Sequence, residues 1–497
     1  MRTALVLAAV LAAAAAHGAA AQPSEMATAA ALEKIGRLDS GPTGLNAVIA
    51  LDPTAMEQAR NLDYMRRDRG PLHGQPVLLK DNIDQANVPT TAGSLALIYN
   101  VPEADSEVAH RLRAGGMVML GKANLSEWAN YRSPHSISGW SAVRGLTRNP
   151  HVLDRSACGS SAGSAVAVAA GYVRFAVGTE TDGSIACPAA MNGVVGLKPT
   201  VGLVSRTGII PISEAQDTAG PITRTVADAA ALLMLMAGSD EADPATREAD
   251  ARKANYAEGL SPDALKGVRL GVLTHLTGYS PTTDKTFARA LETLKGAGAE
   301  IVAIEGFQPD PQLNDDEGLV LRTEFKAGID AYLATVWAGV GTRSLDALIA
   351  FNARTPAETV LFGQERFELA AQAAPLTDPA YLAARARAKR LAGPEGIDKL
   401  LADHRVQALI APTTSPAWRI DLVAGDRFEG SASGLPAVAG YPHLTVPMGL
   451  ADGLPVGISF IGPAWSEARL LGFGYAYEQA SHTRVEPAFK ASLDPAR

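Results

Sequence analysis

The sequence predicts an α/β fold in which a β-sheet is covered by helices on both faces. Two observations carry that expectation. Short apolar runs with strand character, at residues 76–80, 118–121, 268–273 and 408–412, alternate with longer stretches of helical period. The chain of 497 residues also shows no internal repeat and no low-complexity tract beyond its first 21 residues, and it suffices for one large α/β domain or two ordinary ones.

Residues 1–21 carry one positive charge at Arg2, an uninterrupted apolar run from Ala4 to Ala16, and an Ala19-Ala20-Ala21 ending. This predicts a secretory signal peptide cleaved after Ala21, and so an exported protein, periplasmic or secreted. The run is shorter than the roughly 20 helical residues of a membrane anchor. No later stretch is long and apolar enough to cross a membrane.

Residues 26–69 read mainly as two helices, with Leu32, Ile35 and Leu38 at helical spacing, and NAVIAL at 46–51 reads as a strand. Residues 106–115 read as a helix stopped by a glycine, and 118–121 as a buried strand followed by a polar turn at 122–124 that exposes Lys122. Residues 125–141 lack a clean period and read as an ordered loop. Trp128, Asn130 and Tyr131 there are candidates for the acyl side of a substrate pocket; Trp128 suits packing equally, whereas Asn130 suits a hydrogen bond to a peptide group. Residues 193–198 and 201–205 continue the core, and a helix at 225–237 closes this half. Asp217 reads as a brace for neighbouring loops or as a plain turn residue.

Residues 238–263 form a polar surface excursion. Strands at 268–273 and 301–304 flank a helix at 286–295, and 310–317 is acidic and irregular. Helices across 319–402 read as a variable cover in which substrate preference resides. A strand at 408–412, a strand at 444–446 led by His443, and a helix at 470–479 complete the chain.

The chemistry concentrates in residues 156–184, SACGSSAGSAVAVAAGYVRFAVGTETDGS. Two glycine-rich serine loops are joined there by a small apolar segment that reads as a buried helix, for which Ser160 and Ser161 are natural caps. In the second loop, Ser184 ends a run of backbone donors. Ser184 is placed to attack a carbonyl whose oxygen sits among the N–H groups of Thr181, Asp182, Gly183 and Ser184, an oxyanion hole. A serine hydroxyl needs a base, and none of the nine histidines lies between His151 and His275 or carries a local signature that ties it to these loops. Lys80 ends an apolar strand-like run, where burial favours the neutral amine; a fall of about three pKa units would make it a base near pH 7.

These residues resemble the amidase signature family. The likeness rests on LHGQPVLLKDN, GSSAGSA, GTETDGSIACPAAMNGVVGLKPTVGLVS, DTAGPITRTVADAA and GLPAVAGYPHLTVPMG, and it spans essentially the whole mature chain. TETDGSI, LSEWAN, SGWSA and LAGPEGID look most like bacterial peptide amidases, which remove the C-terminal amide of peptides. The resemblance implies a single α/β/α sandwich with a mixed central sheet over residues 22–497, with a signature core at about 70–235 and a variable cover at about 310–402. It also implies Ser184 as nucleophile, Ser160 as bridging serine after a cis peptide bond from Gly159, and Lys80 as base. Cys158 and Ala162 stand where glycine is common in the family, and leave the three side chains in place.

The expected activity is a serine hydrolase of carboxamides, with peptide amides as first choice and small aliphatic or aryl amides as the alternative. No metal or organic cofactor is expected, because HExxH, Cys-x-x-Cys and phosphate-loop patterns are missing from the sequence. A formal charge of -8 with interspersed signs gives no reason to expect nucleic acid or a membrane surface as partner. Gly159-Ser160-Ser161-Ala162-Gly163 also satisfies the nucleophile-elbow pattern, which would assign Ser161 with His443 or His482, but the residues before it make a poor strand. A periplasmic binding protein whose loops hold an anion is the non-enzymatic rival. Cys158 and Cys187 flank the loops and read as two buried thiols, with a bridge open to them in an oxidising compartment.

Overall fold

The computed structural model describes residues 23–65 and 68–493; the predicted signal peptide lies outside them. Helices α1 (Pro23–Leu38) and α2 (Ala55–Met65) flank strand β1 (Val48–Leu51). Then follow β2 (Pro76–Lys80), α3 (Glu107–Ala114), β3 (Val118–Ala123), α4 (Ala162–Ala169), β4 (Phe175–Glu180), α5 (Ala186–Met191), β5 (Val195–Lys198), β6 (Thr218–Thr223) and α6 (Val226–Met236). The second half supplies β7 (Arg269–Leu273), α7 (Pro281–Gly296), β8 (Glu300–Ile304), the cover helices α8 (Gln312–Thr335), α9 (Leu345–Arg354), α10 (Pro356–Thr359), α11 (Glu365–Ala371) and α12 (Pro379–Ala392), then α13 (Lys399–His404). Strand β9 (Ala408–Pro412), helix α14 (Gly434–Ala439), strands β10 (His443–Ala451) and β11 (Leu454–Ile461), and helix α15 (Glu467–Ser481) close the fold.

Among the described residues, eleven strands form one sheet in the order β1-β3-β2-β4-β6-β5-β10-β11-β9-β7-β8. The sheet is mixed: β2 runs parallel to β3 and β4, whereas β4 and β6 pair antiparallel. Successive side chains of a strand face opposite sides. Accordingly Val77, Leu79, Phe175 and Val177 join one core cluster with α3, α6, α7 and α15, while Leu78 and Ala176 join another with α1, α2 and α4. Two apolar faces under two helical layers give the expected sandwich. Helix α4 approaches the sheet closely because its residues are small; a Cβ at Gly163 would stand 2.3 Å from the Ala47 carbonyl oxygen.

Three local expectations need correction. Strand β3 continues past Gly121, whose φ of +138° accommodates a register shift against β2, so Lys122 lies inside the sheet opposite Leu79. Lys122 is fully buried and pairs with Asp81 at 3.2 Å. The acidic stretch 310–317 is not irregular throughout: α8 begins at Gln312, and carboxylates in a first turn favour a helix N-terminus. Cys158 and Cys187 are not free thiols but a disulfide, with their Cα atoms 6.0 Å apart.

Candidate active site

Lys80 ends β2, an interior strand third from one edge of the sheet, and β2 is buried along its whole length. The side chain is fully buried, and its Nζ lies 2.7 Å from Ser160 Oγ, 2.8 Å from Thr179 Oγ1 and 3.1 Å from the Thr179 carbonyl oxygen. Desolvation lowers the Lys80 pKa to about 7, against the opposing pull of Asp217 and Glu180. As an ammonium, Lys80 donates to all three oxygens; as a neutral amine it keeps two N–H bonds to the Thr179 oxygens and turns its lone pair to the Ser160 hydroxyl. Thr179 is the participant that sequence reasoning missed. It lies in β4 beside β2, and Asn82 Nδ2 donates to its hydroxyl at 3.0 Å. No spacing pattern in the sequence marks it.

Ser160 and Ser161 precede α4, and the Gly159–Ser160 peptide bond is cis, as the resemblance implied. Ser161 holds the N-cap position, yet its side chain caps nothing, contrary to expectation. Its hydroxyl instead donates to the Thr179 carbonyl at 3.1 Å and accepts from the Thr179 N–H at 3.2 Å. That tie to β4 occupies the hydroxyl which the nucleophile-elbow reading requires to be free.

The second loop meets the first through its backbone, since the Ser161 N–H donates to the Ser184 carbonyl at 3.1 Å. The N–H groups of Thr181, Asp182, Gly183 and Ser184 have no acceptor among the described residues, and they lie between β4 and α5, where neither ladder uses them. Gly183 has φ +77°, a conformation disfavoured for any residue with a Cβ. Glu180 fixes the far side of the turn: its Oε2 accepts from the N–H groups of Ile185 and Ala186 at 2.7 and 2.9 Å. Asp217 braces the near side, accepting from Thr181 Oγ1 at 2.6 Å and from the Ile212 and Ser213 N–H groups at 2.7 and 2.9 Å. The disulfide joins the residue two before Ser160 to the residue three after Ser184.

A family model described as Amidase matches residues 27–471, about nine-tenths of the chain. The chain belongs to the amidase family. It is an amide-hydrolysing enzyme. This amidase is 39% identical over 465 residues to a probable amidase of Arabidopsis thaliana, covering 90% of this chain and 85% of the relative. It is 34% identical over 492 residues to a glutamyl-tRNA(Gln) amidotransferase subunit of Synechococcus, covering 93% and 90%. Among solved structures, the native peptide amidase of Stenotrophomonas maltophilia shares 52% identity with it and a TM-score of 0.88, covering 94% of this chain and 95% of that one. The sandwich around the large mixed sheet is the fold of that neighbour.

In this amidase, residues 127–130 make a turn of unusual hand. Trp128, Ala129 and Asn130 have φ of 49°, 51° and 67°, three successive left-handed residues none of which is glycine. The Ser126 N–H donates to the Ser160 carbonyl at 3.0 Å, and Ala129 lines a small cavity with Ser160, Thr179 and Thr181. Trp128 and Tyr131 are buried against Phe367 and Phe325, with ring centroids 5.7 and 4.7 Å apart. Asn130 Nδ2 donates to Ser138 Oγ at 3.1 Å, and its Oδ1 has no donor among the described residues.

His443, at the start of β10, points into the core of the amidase, with Nε2 2.6 Å from Ser459 Oγ. Burial lowers its pKa to about 3, helped by the charge of Lys198. His482 is an exposed residue at the end of α15. Among the described residues, no group of three or more His, Cys, Asp or Glu side chains is arranged to hold a metal ion, and no helix is long and apolar enough to cross a membrane.

Proposed function

We propose that the enzyme removes the C-terminal amide of peptides, releasing ammonia, through Ser184, Ser160 and Lys80. The observation that carries the reading is the 2.7 Å contact of Lys80 Nζ with Ser160 Oγ, made by a buried lysine whose pKa is about 7. Ser184 Oγ attacks the amide carbonyl and gives its proton to Ser160, whose own proton passes to Lys80. The oxyanion is held by the N–H groups of residues 181–184, which carry no competing acceptor. The Lys80 ammonium returns its proton, by way of Ser160, to the departing nitrogen, which leaves as ammonia. Water then attacks the acyl-enzyme, loses a proton by the same route, and frees the peptide acid.

The peptide specificity draws on 52% identity with a peptide amidase and on the place of Asn130, which sits in the left-handed turn next to Ala129, a residue that lines the cavity beside Ser160. Export is part of the proposal. A disulfide beside the catalytic loops fits an oxidising compartment, and together with the expected signal peptide it favours a free-standing exported hydrolase over a cytoplasmic amidotransferase component.

The test is ammonia release from a dipeptide amide and from a simple aliphatic amide, with parent enzyme and Ser184→Ala side by side. Turnover of the peptide amide, lost in the variant, is the expected result. Turnover of the aliphatic amide alone would keep the chemistry and overturn the peptide specificity.

A further inference from the structure

Between the left-handed turn and the cover lies a cluster of buried charges to which the proposed chemistry gives no role. Glu127 and Arg132 bracket the turn, and their side chains meet at 2.7 Å, both fully shielded from solvent. The Arg132 guanidinium also lies over the Phe362 ring, 4.2 Å from its centroid, while its Nε and Nη1 have no acceptor among the described residues. The third member comes from the cover. Glu358, in α10, is fully buried and accepts from Ser94 Oγ at 3.0 Å and from the Leu95 N–H at 2.6 Å.

One guanidinium cannot neutralise two buried carboxylates. Burial first, and then the neighbouring Glu358, push the Glu127 carboxyl well above the usual range. A side-chain hydrogen bond between Glu127 and Glu358 joins the second carboxyl to the pair. The cluster thus ties three segments together: the turn, the 94–95 loop and the cover. Buried groups of this kind are costly unless every partner is in place, which suits them to fixing one conformation.

We infer that Glu127, Arg132 and Glu358 are positioning residues, a buried clamp that holds the left-handed turn 128–130, and with it Asn130, against Ser160 for binding the acyl portion of the peptide substrate. An ion pair closing over five residues opposes relaxation of three left-handed residues toward right-handed backbone. The turn is anchored on the catalytic side by the Ser126 N–H to the Ser160 carbonyl, and on the cover side by the Arg366 N–H to the Arg132 carbonyl at 3.2 Å. The inference rests on the proposed acyl-side role of Asn130.

Arg132→Met tests it in the full-length enzyme with two readouts: KM for a dipeptide amide, and the rate at which a small alkyl fluorophosphonate labels the nucleophilic serine. The clamp predicts a KM at least tenfold higher with a labelling rate within threefold of the parent, and partial recovery in Arg132→Lys. A parallel loss in both readouts, or no change in either, would overturn it. Glu127→Gln keeps the shape and the bond to Glu358 while weakening the ion pair, and serves if Arg132→Met does not fold. There a KM at least threefold higher with unchanged labelling is expected, and an unchanged KM overturns the clamp. Asn130→Ala is run beside them: a KM unaffected in that variant alone defeats the Asn130 reading, whereas the clamp stands or falls on the Arg132 and Glu127 variants.

Discussion

Lys80 Nζ lies 2.7 Å from Ser160 Oγ, and both side chains are fully buried. Only the neutral amine can take the serine proton, and the Lys80 pKa of about 7 sets when it is neutral. Because burial lowers this pKa, protonation on acidification removes the base. We therefore expect kcat/KM to rise with pH through an apparent pKa near 7 and to fall about tenfold per unit well below it. A pH–rate profile flat down to pH 5 would exclude Lys80 as the base.

Substitution at Gly183 is expected to strike the oxyanion turn. Any side chain there meets a φ of +77°, and its Cβ would stand 2.9 Å from Ser433 Oγ. Gly183→Ala should lower kcat by about a hundredfold, the scale of one lost oxyanion donor. Steady-state kinetics with a peptide amide reads the loss, and a kcat within threefold of the parent would place the oxyanion elsewhere.

Histidine-based rivals make the opposite forecast for Ser161 and His443. Ser161 is bound to Thr179 on both sides of its hydroxyl, and His443 is held by Ser459. Ser161→Ala and His443→Gln should each keep kcat within about tenfold, or about 1.4 kcal/mol, of the parent. Inactivation of a folded variant would restore the nucleophile-elbow reading.

The disulfide should be felt in stability. It closes a loop with a sequence separation of 29, for which chain-entropy reasoning gives about 3–4 kcal/mol. The double variant Cys158→Ser, Cys187→Ser should melt several degrees lower and lose activity earlier on heating. An unchanged melting temperature in calorimetry would show that the sandwich holds the loops without it.

Much of the fold and of the site is legible in the sequence. The strand ending at Lys80, the two serine loops, the buried small-residue helix and the paired helices near the start all have local signals: apolar runs, glycine, and helical spacing. What escaped depends on tertiary contact. Gly121 looks like a strand terminator but carries β3 onward through a register shift, so Lys122 is buried beside Asp81 rather than exposed. The acidity of 310–317 suggested irregular chain; in the fold Asp316 pairs with Arg387 on α12, a partner 71 residues away. Thr179 reads as a loop residue until β2 and β4 are set side by side, and the pairing of Glu127 with Arg132 follows no helical or strand period.

The central claim is that Ser184 attacks while Ser160 and Lys80 relay its proton. Labelling with a small alkyl fluorophosphonate, followed by peptide mapping in parent, Ser184→Ala and Lys80→Ala enzymes, tests it most directly. The account predicts one adduct on Ser184 in the parent, none in Ser184→Ala, and a strongly slowed reaction in Lys80→Ala. An adduct on Ser160 or Ser161 in the parent, or labelling of Ser184 undiminished without Lys80, would contradict it.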